Sequence, residues 1–275
     1  MNLEAIRPGH CHARATRLLG EVALVRDELG RGEDARPVAE LADGKPRDCY
    51  FEAIASWHKA ARLGAEVGAP AVRFAHAMPP VKDIQPGHVI EVIDAVIAQV
   101  AAVKVVLGIR ESSNEPAIGE HTPGDVLSVL TRVNRQLSRS LERPFAPSDC
   151  YGVVALASAY AARMGAPSGE LEPFERKREP RHCFDHLLAC HHAVSAAIAK
   201  RGQPITAARG VPNDVLPGDV YDLASVVLAE VAFLHALAPN AAPVHAFEPA
   251  PTGFRMPAHV DQLARTLHAQ LGKLA

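Results

Sequence analysis

Pro123-Gly124-Asp125-Val126-Leu127-Ser128-Val129-Leu130-Thr131-Arg132-Val133-Asn134-Arg135-Gln136-Leu137 is the stretch whose reading decides the fold. Val126, Val129, Leu130, Val133, Leu137 and, further on, Leu141 recur at i, i+3, i+4 and i+7, while Arg132, Arg135, Arg139 and Arg143 fall on the other side. That spacing is an amphipathic helix with one apolar stripe. Its start is marked as well. Proline at the first helical position forfeits no hydrogen bond, and an Asp two residues later meets the exposed N–H groups and the positive end of the helix dipole. Thr122 then stands as the N-cap.

The same phrase, proline, any residue, Asp or His, then Cys or Val, occurs eight times along the chain. It begins at Pro8, Pro46, Pro86, Pro123, Pro147, Pro180, Pro217 and Pro257, and an Ala- and Leu-rich stretch with helical periodicity follows each one. Eight helices are therefore predicted. Gly30, Gly68, Gly108, Gly165, Gly202 and Gly272 lie near their far ends, where glycine stops a helix. Where Arg7, Lys45 or Leu216 precedes the proline, a second register makes the Asp or His itself the cap, and both registers stay open.

The fourth position of the phrase reads Cys, Cys, Val, Val and then repeats that order. The fold expected is all-α: eight main helices as an internal duplication of a four-helix unit, as helical bundles or a helical array. The first unit is set at 1–143 and the second at 144–275, packed together. The joint is the short link Glu142-Arg143-Pro144-Phe145-Ala146, and the other connections run to about 11 to 18 residues, long for helical hairpins. Antiparallel neighbours are the default, although loops of that length also allow the chain to return and place neighbours parallel.

Composition narrows the function. With 29 basic and 31 acidic side chains, the chain lacks the positive surplus of a dedicated nucleic-acid binder, so nucleic acid is not an expected partner. The most apolar stretch, Val89 to Gly108, is interrupted by Glu91, Asp94, Gln99 and Lys104, which argues against a membrane span. The first residues show no secretory pattern, and a cytoplasmic location is expected. Five cysteines without a CxxC pair argue against a disulfide framework or a zinc ribbon. Four of them, Cys11, Cys49, Cys150 and Cys183, occupy the slot that valine fills elsewhere, which assigns them to packing.

The densest chemistry lies in Arg181-His182-Cys183-Phe184-Asp185-His186-Leu187-Leu188-Ala189-Cys190-His191-His192. His182, Asp185, His186 and Cys190 share a helical stripe, and with His191 they form a candidate site for zinc or another transition metal. His10 and His12 around Cys11 make a second, sparser cluster of the same kind. Asp and His also alternate in the phrase so that each helix with His corresponds to one with Asp in the other half. Pairing His10 with Asp149 and Asp48 with His182 would give a pH-sensitive switch. The arginine stripe and Glu175-Arg176-Lys177-Arg178-Glu179 read as solvated surface. Walker, Rossmann and nucleophile-elbow signatures are absent from the sequence. The function expected is a non-enzymatic helical scaffold or interaction protein, with a protein partner or self-association and a small ligand held between helices. The alternative is a metal-binding helical protein using the 182–192 cluster.

Overall fold

The computed structural model describes residues 5–38, 44–72, 84–143, 145–206, 210–238 and 253–275. Among these residues the elements are eight helices: α1 (Pro8–Glu28), α2 (Pro46–Val67), α3 (Pro86–Leu107), α4 (Pro123–Ser140), α5 (Pro147–Arg163), α6 (Pro180–Ala199), α7 (Pro217–Ala236) and α8 (Pro257–Gly272). Every helix begins on the proline of its phrase. The chain divides into two compact units, Met1–Pro144 with Thr206–Ala208, and Phe145–Ile205 with Arg209–Ala275.

One capping register holds throughout. The N-cap is the residue before the proline, and its backbone N–H donates to the Asp or His at the third helical position. Arg7 donates to His10 Nδ1 at 3.1 Å, Lys45 to Asp48 Oδ2 at 2.8 Å, and Gln85 to His88 Nδ1 at 2.9 Å. Thr122, Ala146, Glu179, Leu216 and Met256 do the same to Asp125, Asp149, His182, Asp219 and His259. Thr122 alone has a side chain that reciprocates, accepting from Asp125 N–H at 3.2 Å to complete a capping box. Asp and His are interchangeable here because each offers an acceptor at the same reach. At the far ends Gly68 and Gly108 take left-handed φ of 75° and 76°, whereas Gly272 is still inside α8.

In the first unit α1 and α2 each pack against α3 and α4, so the order around the bundle is α1, α3, α2, α4. In the second unit α5 and α6 each pack against α7 and α8 in the same way. The antiparallel default does not hold. Between α6 and α8, Cys183 meets Pro257, His186 meets Asp261 and Cys190 meets Ala264, at separations of 74, 75 and 74 residues, so the two helices advance together. The four prolines of each unit also gather at one end, around one small cavity. All four helices of a unit therefore run in one direction.

This topology needs chain that travels the whole bundle between helices. Helix α3 has 22 residues, about 33 Å at the usual rise, which the extended residues 108–122 easily span. The returning backbone cannot satisfy itself, and side chains do it instead. Residues 32–37 descend along α4, where Arg139 donates to the Gly32 carbonyl, Gln136 to that of Asp34, and Arg135 to those of Arg36 and Pro37. Two members of the arginine stripe are thus backbone clamps rather than solvated surface. Residues 113–121 descend along α1: Ser113 N–H donates to Glu21, Glu115 pairs with Arg14 and Arg17, and the Gly119 carbonyl presses on Gly9. A Cβ at Gly9 would stand 2.1 Å from that oxygen, so only glycine admits the strap. Along α8, Gln270 donates to the Ala166 carbonyl, Gln262 to Glu172 and Arg265 to Pro173. Gln99, Gln136 and Gln270 are buried for this purpose. The apolar stripes meet inside each unit, on Leu18, Leu63, Ile93, Leu127, Leu130 and Leu137 in the first and on Leu187, Ile198, Leu234 and Leu267 in the second. No helix among the described residues is long and apolar enough to cross a membrane.

Candidate functional site

At the proline end of the first unit, Pro8, Cys11, Pro46, Cys49, Pro86, Val89, Pro123 and Val126 line an apolar mouth of about 190 Å³. Its counterpart in the second unit, lined by Pro147, Cys150, Pro180, Cys183, Pro217, Val220, Pro257 and Val260, has about 280 Å³. Those volumes include space open to solvent, and the room either mouth encloses is far smaller than a small-molecule site needs. The thiols in these rings have structural work. Cys11 donates to the Pro86 carbonyl at 3.3 Å, Cys49 to Pro123 at 3.1 Å and Cys183 to Pro257 at 3.3 Å, each tying its helix to the first turn of a neighbour. Cys150 reaches Pro217 at the longer 4.0 Å. Burial pushes the Cys11 and Cys183 thiols up to about 12 and raises that of Cys150 too. A thiol held protonated is neither a nucleophile nor a metal ligand.

The capping bonds fix the histidine tautomers. A ring nitrogen that accepts from a backbone N–H carries no proton, so the neutral rings of His10, His88, His182 and His259 bear theirs on Nε2. They present a donor outward, not a lone pair. For the proposed pairs of His10 with Asp149 and of Asp48 with His182, all four side chains accept from their own N-cap N–H.

The five candidate ligands at 182–191 find separate partners. His182 is a cap, as above, and would have to release its N-cap N–H to offer Nε2 to a metal. Asp185 lies at the surface, 3.0 Å from Arg181 Nε. His186 turns toward α8, where its Nδ1 is 2.8 Å from Asp261 Oδ1. Cys190 also faces α8 and donates to the Ala264 carbonyl at 3.2 Å, with burial raising its thiol to about 12. His191 points instead to α7, its Nε2 3.6 Å from Glu230 Oε1, beside Ser195, which donates to Glu230 Oε2 at 3.3 Å. No three His, Cys, Asp or Glu side chains among the described residues are grouped to hold a metal ion. In the sparser cluster His12 stacks on His121 with ring centroids 3.6 Å apart. Burial and then the neighbouring His121 lower the His12 pKa, and Asp125 opposes them.

Two features were missed from sequence. Asp261 is fully buried in α8, holding His186 on one oxygen and two guanidinium nitrogens, from Arg178 and Arg265, each 3.2 Å from the other. The signal was there: Asp261 stands four residues after its proline, where α4 has the apolar Leu127. The second is the outer face of α3. Lys104 turns inward, only 7% exposed, with Nζ 2.5 Å from Glu21 Oε2 and a further bond to the Glu111 carbonyl. The adjacent Val105 is 79% and Val106 46% exposed, continuing a face that includes the exposed Ala98 and Ala101. Return segments run over α1, α4 and α8, and residues 70–72 meet α3 beside this face, where Val72 N–H donates to Gln99 Oε1 at 2.8 Å and Gln99 donates to the Pro70 carbonyl.

No known protein family, no characterised protein and no solved structure matches the chain.

Proposed function

We propose that this chain is a non-enzymatic helical scaffold that associates through the outer face of α3, with a second copy of itself as the first occupant to test. The observation that carries this reading is the reversal at Lys104 and Val105, a charge turned inward and a valine left in water. Exposed apolar side chains in a row along one helix suit an interface better than an isolated surface. Alanines at 98 and 101 let another helix approach closely, and a face that meets its own copy closes as a twofold dimer. Free, buried thiols fit a reducing compartment such as the cytoplasm. The common helix order and the matching thiol-to-proline bonds support reading the two units as copies of one ancestral unit.

Sedimentation equilibrium of the full chain tests this, comparing wild type with a Val105→Glu, Val106→Glu variant. The expected result is a dimer that becomes a monomer with unchanged helix content, both positions being exposed. A wild type that remains monomeric at about 100 μM, weaker than any stable interface, would overturn self-association.

A further inference from the structure

We propose that His186 accepts a phosphoryl group on its Nε2, with Asp261 as the positioning residue behind it. The case starts from the proton on the ring. His186 Nδ1 faces the Asp261 carboxylate at 2.8 Å and the His182 carbonyl at 3.1 Å, and both can only accept. Nδ1 therefore carries the proton, and the Nε2 lone pair is left unengaged on a side chain that is 33% exposed. This is the reverse of the four capping rings, whose outward nitrogen is protonated. It also differs from His191, which is buried against Glu230, and from His12, which is stacked on His121.

The second element is charge. When Nε2 forms a bond the ring becomes cationic, and a carboxylate hydrogen-bonded to the opposite nitrogen stabilises it. Asp261 is fixed for this by Arg178 and Arg265. Arg178 also anchors, on the same carboxylate, the turn that presents Arg176 and Lys177. Both are exposed, and neither has a partner among the described residues. Those free cations favour an incoming dianion, which a neutral acyl group would not exploit. The reaction balances with a phosphoramidate or acyl phosphate as donor. The Nε2 lone pair forms the N–P bond, the bond from phosphorus to the leaving ammonia or carboxylate breaks, and Nδ1 keeps its proton against Asp261.

The full chain is incubated with potassium phosphoramidate at neutral pH and followed by intact mass, by ³¹P NMR, and by fragment mapping that preserves acid-labile groups. His186 is expected to be labelled on Nε2 at least about tenfold faster than His182 or His259, and Asp261→Asn to slow that labelling by about tenfold or more. Because Asp261 also anchors two arginines, a second variant keeps the test independent of folding. Arg176→Gln with Lys177→Gln, at exposed positions, is expected to slow labelling severalfold while leaving acylation of His186 by diethyl pyrocarbonate unchanged. Labelling of His186 no faster than that of the capping histidines would overturn the proposal, as would a rate indifferent to the loss of both cations.

Discussion

The α2–α4 pair and the α6–α8 pair occupy corresponding places in their units and share the thiol-to-proline bond, yet they enclose different polar groups. Between α2 and α4, Asn134 Nδ2 donates to the Glu52 carbonyl and carboxylate, while Lys59, 1% exposed, donates to the Asn134 carbonyl and to Ser138. Glu52, Lys59 and Asn134 are all buried there. Between α6 and α8, His186 stands where α2 has Glu52 but pairs with Asp261, which stands where α4 has Leu127, and the ring reaches water. The ends of the return segments differ too. His12 stacks on His121 in the first unit, and at the matching positions in the second the Arg255 guanidinium lies 4.5 Å from the centre of the Tyr151 ring. The phrase residues build the same frame twice. What varies lies between the phrases, and any chemistry specific to this chain belongs there.

Removing Asp261 should open the widest gap between the two pairs. Asp261→Ala leaves two guanidinium groups and an imidazole without their carboxylate, an expected loss of about 3 kcal/mol. Asn134→Ala between α2 and α4 should lose about 1–3 kcal/mol, the range for a buried hydrogen-bonding group deprived of its partner. Urea denaturation read separately on the two units would show the order, and equal losses would remove the distinction drawn here. Next in size is Gly9→Ala, whose Cβ meets backbone rather than a flexible side chain. It is expected to destabilise the first unit by about 1–3 kcal/mol and to speed amide exchange in 113–121, with no change in the second.

The smallest effect separates the two closing contacts by pH. Because the His12 pKa is lowered in the folded chain, the stacked pair contributes stability that is full above the ordinary histidine value near 6.5 and lost as pH falls through the folded value. The Arg255–Tyr151 contact of the second unit contains no histidine. Amide exchange at pH 7.5 and 5 should therefore show residues 113–121 loosening in acid, and His12→Gln should flatten that response. Similar loosening with His12→Gln would assign the effect elsewhere.

The helix starts were legible because capping is local: proline, one acceptor and one small apolar residue fix the first turn whatever the rest of the chain does. Helix direction was not, since an amphipathic stripe reads the same for a parallel or an antiparallel neighbour. Only the long connections hinted at the answer. The polarity of α4 misled for the same reason, as Arg135 and Arg139 look like surface until the descending residues 32–37 are placed on them. At the candidate site, His186 was visible but its partner lies 75 residues away, and nothing along one helix reveals which neighbour supplies a carboxylate. His182, read as a ligand, was already explained by its place in the phrase.

Running all four helices one way has a consequence for the order in which the chain can assemble. Helices α1 and α2 sit across a diagonal, with α3 and α4 as the neighbours of both. A growing chain that has emitted both α1 and α2 has made two apolar stripes that do not pair with each other. Only when the stretch beginning at Pro86 emerges does either gain its first lasting partner, and α1 waits further for the strap at 113–121. Assembly therefore depends on distant closures rather than on adjacent hairpins, a pattern that slows folding and leaves early intermediates with exposed apolar faces.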